Sequence, residues 1–407
     1  MNKIINHNYK IKLLHKKYKS ILIFFKLFCF FFILILKKYE NYFLLFSKSI
    51  LNINQTIIET QSYEKFQNIK DRFNNDSFLN NYLQEIRILS HIYNKKSKKI
   101  KKHKKNIHIC MCLNNKYLYP VLVSMESVLT NCNKKKTFII YHILCSPNLT
   151  QISLKKLKSL IISYGFNLEI IFYNMGNNFM NLYHNRISQA AYYRLLTPII
   201  IDVDRIIYLD GDTLILKDLN EMYEVKLNDN YVLGNLDFQS NGIDYLGIKS
   251  KKYINSGVLL LNLEKIRNNN KFIHLLNITI NNTKLIHQDQ TIINFILYPK
   301  IGILPSKYSI WNFNDKLDIM KYSKHLRIEI NINEFEMSLN DPTIIHNVLC
   351  WPKLWFFNTK YDEGLTACKK RNNCNCKKYS DLWHFYARKT NYYNEILYFS
   401  RKKKNFI

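Results

Sequence analysis

Alternating apolar and polar segments divide most of the chain after residue 106 into strands and helices. Four short apolar runs predict buried strands, at Ile107–Leu113, Thr137–Leu144, Leu168–Met175 and Arg205–Asp210. A helical pattern over Tyr119–Leu129 separates the first two runs, and a second helical pattern ends before the third. This alternation is typical of an α/β protein whose sheet contains parallel strands.

The first 38 residues combine a basic stretch with an apolar segment. Ser20–Leu36 has 17 residues and one charge, at Lys26, which is near the lower length limit for a membrane-spanning helix. Lys37 and Lys38 follow it, where a signal-peptide cleavage site would need small residues. We therefore predict an uncleaved signal-anchor and a membrane-associated protein with a single pass through residues 20–36. A peripheral or buried helix is the alternative, and lysines on both sides leave the orientation open.

Two further regions flank the predicted core of the chain. Residues 39–105 are predicted to form a polar, mixed helical stem that ends in a Lys-rich linker. Residues 94–106 contain eight lysines, and a block of like charge stays solvated, either free or on an anionic membrane surface. This run lacks the interleaved aromatic residues of a nucleic-acid groove, so no nucleic-acid partner is expected. Residues 358–407 form a basic, aromatic extension whose segment Ser380–Phe399 is predicted to be a helix that docks on the domain or on a membrane interface.

Charge and cysteine usage restrict the function only weakly. The chain has 60 Lys and Arg residues against 30 acidic ones, a net charge of +30. This surplus fits an anionic partner such as nucleic acid, a phosphate-bearing substrate or an acidic membrane, and it also fits the Lys- and Asn-rich composition of AT-rich coding sequences. The nine cysteines are irregularly spaced without paired CxxC units, which argues against a zinc ribbon. For Cys368, Cys374 and Cys376, a disulfide, a metal site and free thiols all stay open.

The stretch RIIYLDGDTLIL, Arg205–Leu216, places two of the scarce acidic residues around a glycine at the end of a predicted strand. Asp210 and Asp212 can reach one cation if Gly211 allows the chain to bend. Carboxylate oxygens suit Mg²⁺ or Mn²⁺ shared with a substrate's phosphates. The carboxyl edge of an α/β sheet is also where ligands bind. A polar turn would give the same letters, so the motif alone is weak.

One rival family has a similar motif. Haloacid-dehalogenase phosphatases also carry an apolar strand that ends in two aspartates, with one residue between the second Asp and a Thr. Here Asp212 is followed directly by Thr213, and the motif lies in mid-chain. The register therefore excludes this interpretation.

Seven blocks occur together in the chain: NNKYLYPVLVSMESVL, SQAAYYRLL, RIIYLDGDTLIL, YINSGVLLLNLEKIR, HQDQTIINF, ILPSKYSIWN and IIHNVLCWPKLW. In content and order they resemble glycosyltransferase family 8, the family of glycogenin and of bacterial lipopolysaccharide galactosyl- and glucosyltransferases. The resemblance covers about Asn106 to Trp355. It implies a transferase domain at residues 106–357 with the nucleotide-sugar transferase fold, which is α/β, Rossmann-like, of the single-domain A type and built on a mixed central sheet.

The resemblance also implies a metal and diphosphate site. Asp210, Asp212 and His346 match the family's ligands for Mn²⁺ (or Mg²⁺), which binds the diphosphate of a UDP-sugar. Lys353 matches the lysine that pairs with the departing diphosphate. Arg194 matches an arginine that supports the donor site. A core histidine at 346 and a packing role for Arg194 are the alternatives.

The same resemblance assigns the sugar and nucleotide contacts. Asn255 and Ser256 match residues that touch the donor sugar, although Asn255 could instead be a turn former. Asp289 and Gln290 match the catalytic pair beneath the reacting face of the sugar. The uridine-binding turn is assigned to Asn114, Asn115 and Tyr117, with a packing role as the alternative for Tyr117.

The chain departs from the family pattern in two motifs. The nucleotide turn has amides at Asn114 and Asn115 where aspartate is usual. The terminal motif HNVLCWPKLW lacks the family's glycine and has Leu354 in place of proline. The implied function is a metal-dependent retaining transfer of a hexose, galactose or glucose, from a UDP-sugar to a glycan, glycolipid or protein acceptor. The alternative is a catalytically lapsed UDP-sugar- or glycan-binding protein of the same fold.

Overall fold

The predicted apolar runs form the strands of a central sheet. The computed structural model describes residues 83, 85–93, 101–164, 167–178, 189–238, 252–281, 288–311, 320, 330–348, 353–356 and 376–402. Within them the strands are β1 (Arg87–Tyr93), β2 (Lys105–Leu113), β3 (Thr137–Cys145), β4 (Leu168–Asn174), β5 (Arg205–Leu209), β6 (Thr213–Ile215), β7 (Val232–Leu236), β8 (Ile254–Asn262), β9 (Ile301–Ile303) and β10 (Ile344–His346).

Strand order shows that the sheet is mixed. Eight of these strands pair in the order β1-β4-β3-β2-β5-β8-β7-β9, while β6 and β10 form a separate two-stranded ribbon. The pairs of β2 with β3, β3 with β4 and β2 with β5 are parallel, whereas β8 runs antiparallel to both β5 and β7. The predicted α/β class and the mixed central sheet are confirmed.

Helices cover both faces of the sheet. The α-helices among the described residues are α1 (Leu118–Asn131), α2 (Gln151–Tyr164), α3 (Thr197–Ile200), α4 (Asn220–Tyr223), α5 (Leu263–Asn268), α6 (Lys271–Asn281), α7 (Gln288–Leu297), α8 (Ile332–Asn340), α9 (Cys376–Lys389) and α10 (Tyr393–Lys402). Single 3₁₀ segments occur at Asn115–Tyr117, Gln189–Leu196, Ser306–Tyr308 and Leu354–Phe356.

The hydrophobic core lies in two layers because successive side chains of a strand point to opposite faces. On β2, Ile109 and Met111 belong to one buried cluster and Cys110 belongs to the other. Helices α1 and α2 pack against the first layer, and α5, α6 and α7 pack against the second. Burial on both faces explains why the central strands read as continuous apolar runs rather than as alternating ones.

The sheet begins earlier in the chain than the resemblance indicated. Strand β1 lies in the segment that was predicted as a helical stem, and it pairs antiparallel with β4 at the sheet edge. His91 on β1 contacts the carboxylate of Glu169 on β4, and Lys101 Nζ donates to the same carboxylate at 2.7 Å. Pairing with β4 and the buried contact with Glu169 therefore decide the conformation of β1. The local sequence of β1 does not show this pairing, because its partner strand lies far away in the chain.

The C-terminal extension docks on the domain. Helices α9 and α10 supply Tyr379, Trp383, Tyr386 and Ile396 to a buried cluster that also contains Trp355. The predicted helical segment Ser380–Phe399 is therefore two helices, separated at residues 390–392. Apolar contact with the domain is the reason they lie there.

The predicted membrane association requires correction. No helix in the described part of the chain has both the length and the apolar character needed to cross a bilayer. The predicted span at residues 20–36 lies outside the described residues, as do most of the stem and residues 94–100 of the Lys-rich run. The assignment of a membrane-spanning, membrane-associated protein is therefore withdrawn. Cys368 and Cys374 also lie outside the described residues, whereas Cys110, Cys112, Cys132 and Cys145 are free thiols.

Candidate functional site

The Asp-Gly-Asp turn connects β5 to β6 at the carboxyl edge of the parallel strands. Thr213 closes the turn, since its Oγ1 donates to the backbone oxygen of Asp210 at 2.8 Å. A Cβ atom on Gly211 would lie 2.7 Å from Val121 Cγ2 on helix α1. Glycine is thus required for close packing of the turn against α1, and this packing fixes the direction of both aspartates.

Three potential metal-ligating side chains converge at this turn. The ribbon of β6 and β10 pairs His346 with Thr213, which brings the imidazole beside the two aspartates. His346 Nε2 lies 3.4 Å from Asp212 Oδ1 and 3.8 Å from Asp210 Oδ2. Ligand atoms of the three residues all lie within 4.8 Å of one another. The structure therefore places the three predicted metal ligands together.

The other oxygen of each aspartate contacts a protein cation. Arg194 donates to Asp210 Oδ1 at 2.9 Å, and Tyr208 donates to the same oxygen at 2.9 Å. Lys353 donates to Asp212 Oδ2 at 2.7 Å. Burial alone would raise the pKa of Asp212, but the charge on Lys353 and the contact with His346 hold that pKa well below its ordinary value. Both aspartates thus keep one oxygen directed toward His346.

The residues present fit a divalent metal ion. A Cβ atom on Gly257 would lie 2.1 Å from His346 Cε1 and 2.6 Å from Asp210 Oδ2, so only glycine leaves this side of the three ligands open. Two carboxylates and one imidazole form a mixed oxygen and nitrogen donor set that suits Mn²⁺. His346 Nδ1 is buried without a hydrogen-bond partner in the described part of the chain, where packing rather than a second hydrogen bond orients the ring.

A second polar group lies next to the turn, between β8 and the start of α7. Ser256 Oγ donates to Asp289 Oδ2 at 3.1 Å, and Arg194 Nε lies 3.2 Å from the same oxygen. Burial raises the pKa of Asp289, while the charge on Arg194 opposes that rise. Asp289 and Gln290, which the sequence predicted as a pair, therefore have different partners. Arg194 and Ser256 hold the carboxylate of Asp289, whereas Gln290 makes separate contacts.

Gln290 organises the adjacent backbone through its amide. Its Oε1 accepts from the backbone N–H of Ser256 and from Asn255 Nδ2, each at 3.1 Å. Its Nε2 donates to Asp237 Oδ2 at 2.8 Å. Asn255 Nδ2 lies 3.2 Å from the same Asp237 oxygen. A closed network of side chains therefore holds Asn255, Ser256 and Gln290 in one arrangement.

Arg194 connects the two groups. Its NH1 donates to the backbone oxygen of Ser256 at 2.6 Å, in addition to its contacts with Asp210 and Asp289. Its guanidinium lies 4.3 Å from the centroid of the Tyr208 ring. Burial would lower the pKa of Arg194, but the two neighbouring carboxylates raise it well above its ordinary value. The planar guanidinium, with five donors, can satisfy both carboxylates at once.

The predicted nucleotide turn is only partly directed toward this site. Tyr117 is 37% exposed and makes an edge contact with Trp355, with ring centroids 6.3 Å apart. Asn114 caps the 3₁₀ turn by accepting from the backbone N–H of Tyr117 at 3.1 Å. Asn115 donates to the backbone oxygen of Asn148 at 2.6 Å, so its amide stabilises the neighbouring loop.

Two residues of the site were not identified from sequence. Asp237 follows β7 as Asp210 follows β5, and it is 4% exposed, so an aspartate directly after an apolar strand was an available signal. Tyr208 is two residues before Asp210 and therefore shares its face of the strand. The sequence did not distinguish Tyr208 from a core residue, because only the fold shows that its hydroxyl donates to Asp210 Oδ1.

Comparison with known proteins identifies the family of the chain. The sequence profile described as "Glycosyl transferase family 8" matches residues 108–346, more than half of the chain. General stress protein A of Bacillus subtilis is 24% identical over 264 residues, which cover 63% of this chain and 89% of that protein. Lipopolysaccharide 1,2-glucosyltransferase of Escherichia coli is 29% identical over 177 residues, which cover 41% of this chain and 49% of that protein. The chain thus spans about half the length of the second relative.

A solved structure supports the fold. The galactosyltransferase LgtC, in complex with donor and acceptor sugar analogs, superposes with a TM-score of 0.50 at 21% identity, covering 65% of this chain and 94% of LgtC. This likeness confirms the predicted A-type glycosyltransferase fold. Together with the profile match over more than half of the chain, it identifies the protein as a glycosyltransferase that belongs to family 8.

Proposed function

We propose that this protein is a metal-dependent, retaining hexosyltransferase that uses a UDP-sugar donor. The observation that carries the proposal is the convergence of Asp210 Oδ2, Asp212 Oδ1 and His346 Nε2, flanked by the buried Arg194 and the partly buried Lys353. Carboxylates gathered with an imidazole suit a divalent metal, and cations beside them suit a diphosphate. The acceptor is a glycan, a glycolipid or a protein.

The two aspartates and His346 would hold Mn²⁺ (or Mg²⁺), which when bound supplies neutralising charge for the donor's diphosphate. Lys353 would provide the remaining positive charge for the leaving group. Its ammonium lies at the same turn, 2.7 Å from both Asp212 Oδ2 and the backbone oxygen of Asn347. A fixed cation of this kind stabilises negative charge that develops during the reaction, so the leaving diphosphate needs no general acid.

The environment of the buried carboxylates favours same-face attack over double displacement as the route to the proposed retention of configuration. A double-displacement mechanism needs a free carboxylate nucleophile at the anomeric carbon. Asp289 Oδ2 is held by Arg194 and Ser256, and Asp237 Oδ2 is held by two side-chain amides. We propose that Gln290 lies beneath the sugar, that Asp289 orients it, and that the acceptor attacks from the face that the diphosphate leaves.

Two relatives support hexose transfer. The Escherichia coli relative is named a lipopolysaccharide glucosyltransferase and LgtC a galactosyltransferase. We propose glucose or galactose for this chain on that basis, with a transferase domain at residues 106–357 onto which helices α9 and α10 of the extension at residues 358–407 pack. Strand β1 pairs with the sheet of this domain, so the functional tests use the full chain.

The test is UDP release by the full chain with a panel of UDP-sugars, with Mn²⁺ and with chelator. We expect release with one hexose donor, loss of release on chelation, and loss of release in Asp212→Asn with an unchanged circular dichroism spectrum. Asp341→Asn is the matched control, because that carboxylate is 76% exposed and lies outside the proposed site.

Two outcomes would contradict the proposal. Normal turnover in Asp212→Asn would remove the metal assignment. Tight UDP binding by the wild-type chain without release from any donor, with candidate acceptors present, would favour the catalytically lapsed alternative. The altered HNVLCWPKLW motif would then be the first place to look for the cause, although its residues 349–352 lie outside the described residues.

A further inference from the structure

The C-terminal helices cover the outer side of the ribbon that carries the metal ligands. Leu214 on β6 and Ile345 on β10 are paired in the ribbon, and both are buried in a cluster with Trp383 of α9. Thr213 precedes Leu214, and His346 follows Ile345, so the paired residues Thr213 and His346 lie on the opposite face of the ribbon. The outer face of the ribbon is therefore supported by α9, beyond residue 346, where the family match ends.

The same helix contacts the segment that carries Lys353. Ser380 Oγ donates to the backbone oxygen of Leu354, the next residue, at 2.8 Å. The Trp383 ring packs against Trp355, with centroids 6.0 Å apart. Because the 3₁₀ segment Leu354–Phe356 follows Lys353 directly, its docking on α9 restricts where the ammonium of Lys353 can lie.

Trp355 also connects α9 to the nucleotide turn. It also meets Tyr117, at a centroid separation of 6.3 Å. One chain of aromatic contacts therefore runs from Trp383 through Trp355 to Tyr117. Lys353, proposed to meet the donor's diphosphate, and Tyr117, proposed to meet its nucleoside, are thus both connected to α9.

Polar contacts fix the two helices to α1 and α2. Tyr386 on α9 accepts a hydrogen bond from Asn131 Nδ2 at 2.7 Å. Glu395 on α10 forms an ion pair with Lys156 and accepts from Tyr119 at 3.0 Å. Helix α1 begins directly after the 3₁₀ turn that ends at Tyr117, so these contacts hold the helices and the nucleotide turn in one rigid arrangement.

We propose that α9 and α10 complete the donor site, with Trp383 and Ser380 as positioning residues for Lys353 and Tyr117. This inference rests on the proposed function, because it assumes that Lys353 meets the donor's diphosphate. If the helix pair only stabilised the domain, substitutions in it would lower UDP binding, Mn²⁺ binding and activity equally, because each would fall with the fraction of folded protein. A positioning role instead lowers nucleotide affinity and transfer more than it lowers metal affinity or stability.

The experiment compares Trp383→Ala, Trp383→Phe and Ser380→Ala with the wild-type full chain. UDP affinity is measured by calorimetry, Mn²⁺ affinity by electron paramagnetic resonance, and donor KM and kcat by UDP release. For Trp383→Ala we expect UDP affinity and kcat/KM to fall about tenfold, as when one charge-assisted hydrogen bond is weakened, with a smaller loss of Mn²⁺ affinity. Trp383 Nε1 has no hydrogen-bond partner among the described residues, so Trp383→Phe should recover most of the loss, and Ser380→Ala should show a smaller loss of the same kind.

Phe385→Ala is the matched control, since it removes an aromatic ring from the same helix where the side chain is 49% exposed. Wild-type UDP affinity in both tryptophan variants would overturn the inference. Equal losses of UDP affinity, Mn²⁺ affinity and thermal stability would overturn it as well, because they indicate a purely structural role. Failure of the proposed function is distinguishable, since the wild-type chain itself would then release no UDP from any donor.

Discussion

Replacement of Arg194 by methionine tests whether the buried charges are balanced as the structure indicates. The side chains of Arg194 and Asp289 are both 5% exposed, and that of Asp210 is 29% exposed. Methionine keeps much of the volume but leaves the two carboxylates without their shared cation. Removal of one partner from a buried ion pair costs about 3–5 kcal/mol. Since the stability of a whole domain is about 5–15 kcal/mol, Arg194→Met should be folded only marginally.

The effect should depend on pH with a defined sign. Burial already raises the pKa of Asp289 against the opposing charge of Arg194, so loss of that charge raises the pKa further. A carboxyl group whose folded-state pKa is raised destabilises the fold above that pKa, and the destabilisation disappears as the group is protonated. The stability difference between Arg194→Met and wild type should therefore shrink as the pH falls from about 8 to about 5.

The assay is urea unfolding followed by circular dichroism at both pH values. Arg205→Met is the control, because Arg205 bonds to the backbone oxygen of Tyr223 at 3.1 Å and forms no ion pair in the described part of the chain. That variant should lose only about 1 kcal/mol, without the same pH dependence. A loss in Arg194→Met no larger than in Arg205→Met, or one that grows at low pH, would refute the proposed charge balance.

Two further predictions concern the metal ligands and the sheet edge. Gly257→Ala should abolish Mn²⁺ binding, measured by electron paramagnetic resonance, because its Cβ would lie 2.1 Å from His346 Cε1; wild-type affinity would contradict the tight packing. Burial would raise the pKa of Glu169, but His91 and Lys101 lower it to about 2. A carboxyl group with a lowered folded-state pKa contributes stability that is lost as the pH falls below about 4.5. In Glu169→Gln the free energy of unfolding should therefore depend less on pH between about pH 4.5 and 2.5. An unchanged midpoint of acid unfolding would contradict this prediction.

Much of the candidate site could be predicted from sequence because its motifs are local. The turn at Asp210–Asp212 is specified by an apolar strand followed by a glycine between two acids. Asp289 and Gln290 are adjacent, and Asn255 and Ser256 precede a glycine that the fold requires. The strand-and-glycine pattern indicated Asp210 and Asp212, whereas Asn255, Ser256, Asp289 and Gln290 were assigned only by matching these short motifs to the family.

Other contacts could not be inferred because they join distant segments. Asp237 and Gln290 are 53 residues apart and meet through one hydrogen bond. Asn115 has the residue type of a nucleotide contact, yet its amide bonds to the loop at Asn148. Strand β1 was predicted as a stem because its pairing partner lies 80 or more residues later in most register positions. Local sequence does not encode which of several polar partners a side chain will meet.

The sequence by itself determined the α/β class, the four strands from Ile107 to Asp210, and the identity of the acidic turn. It did so because strand periodicity and turn residues act over a few neighbouring positions. Only the tertiary structure decided that His346 and Lys353 contact different oxygens of Asp212, that Arg194 balances Asp210 and Asp289, and that the C-terminal helices support the same segment. These arrangements depend on strand pairing and packing between segments that are separate in the sequence, by 141 residues for Lys353 and Asp212, where burial and charge compensation select the partners.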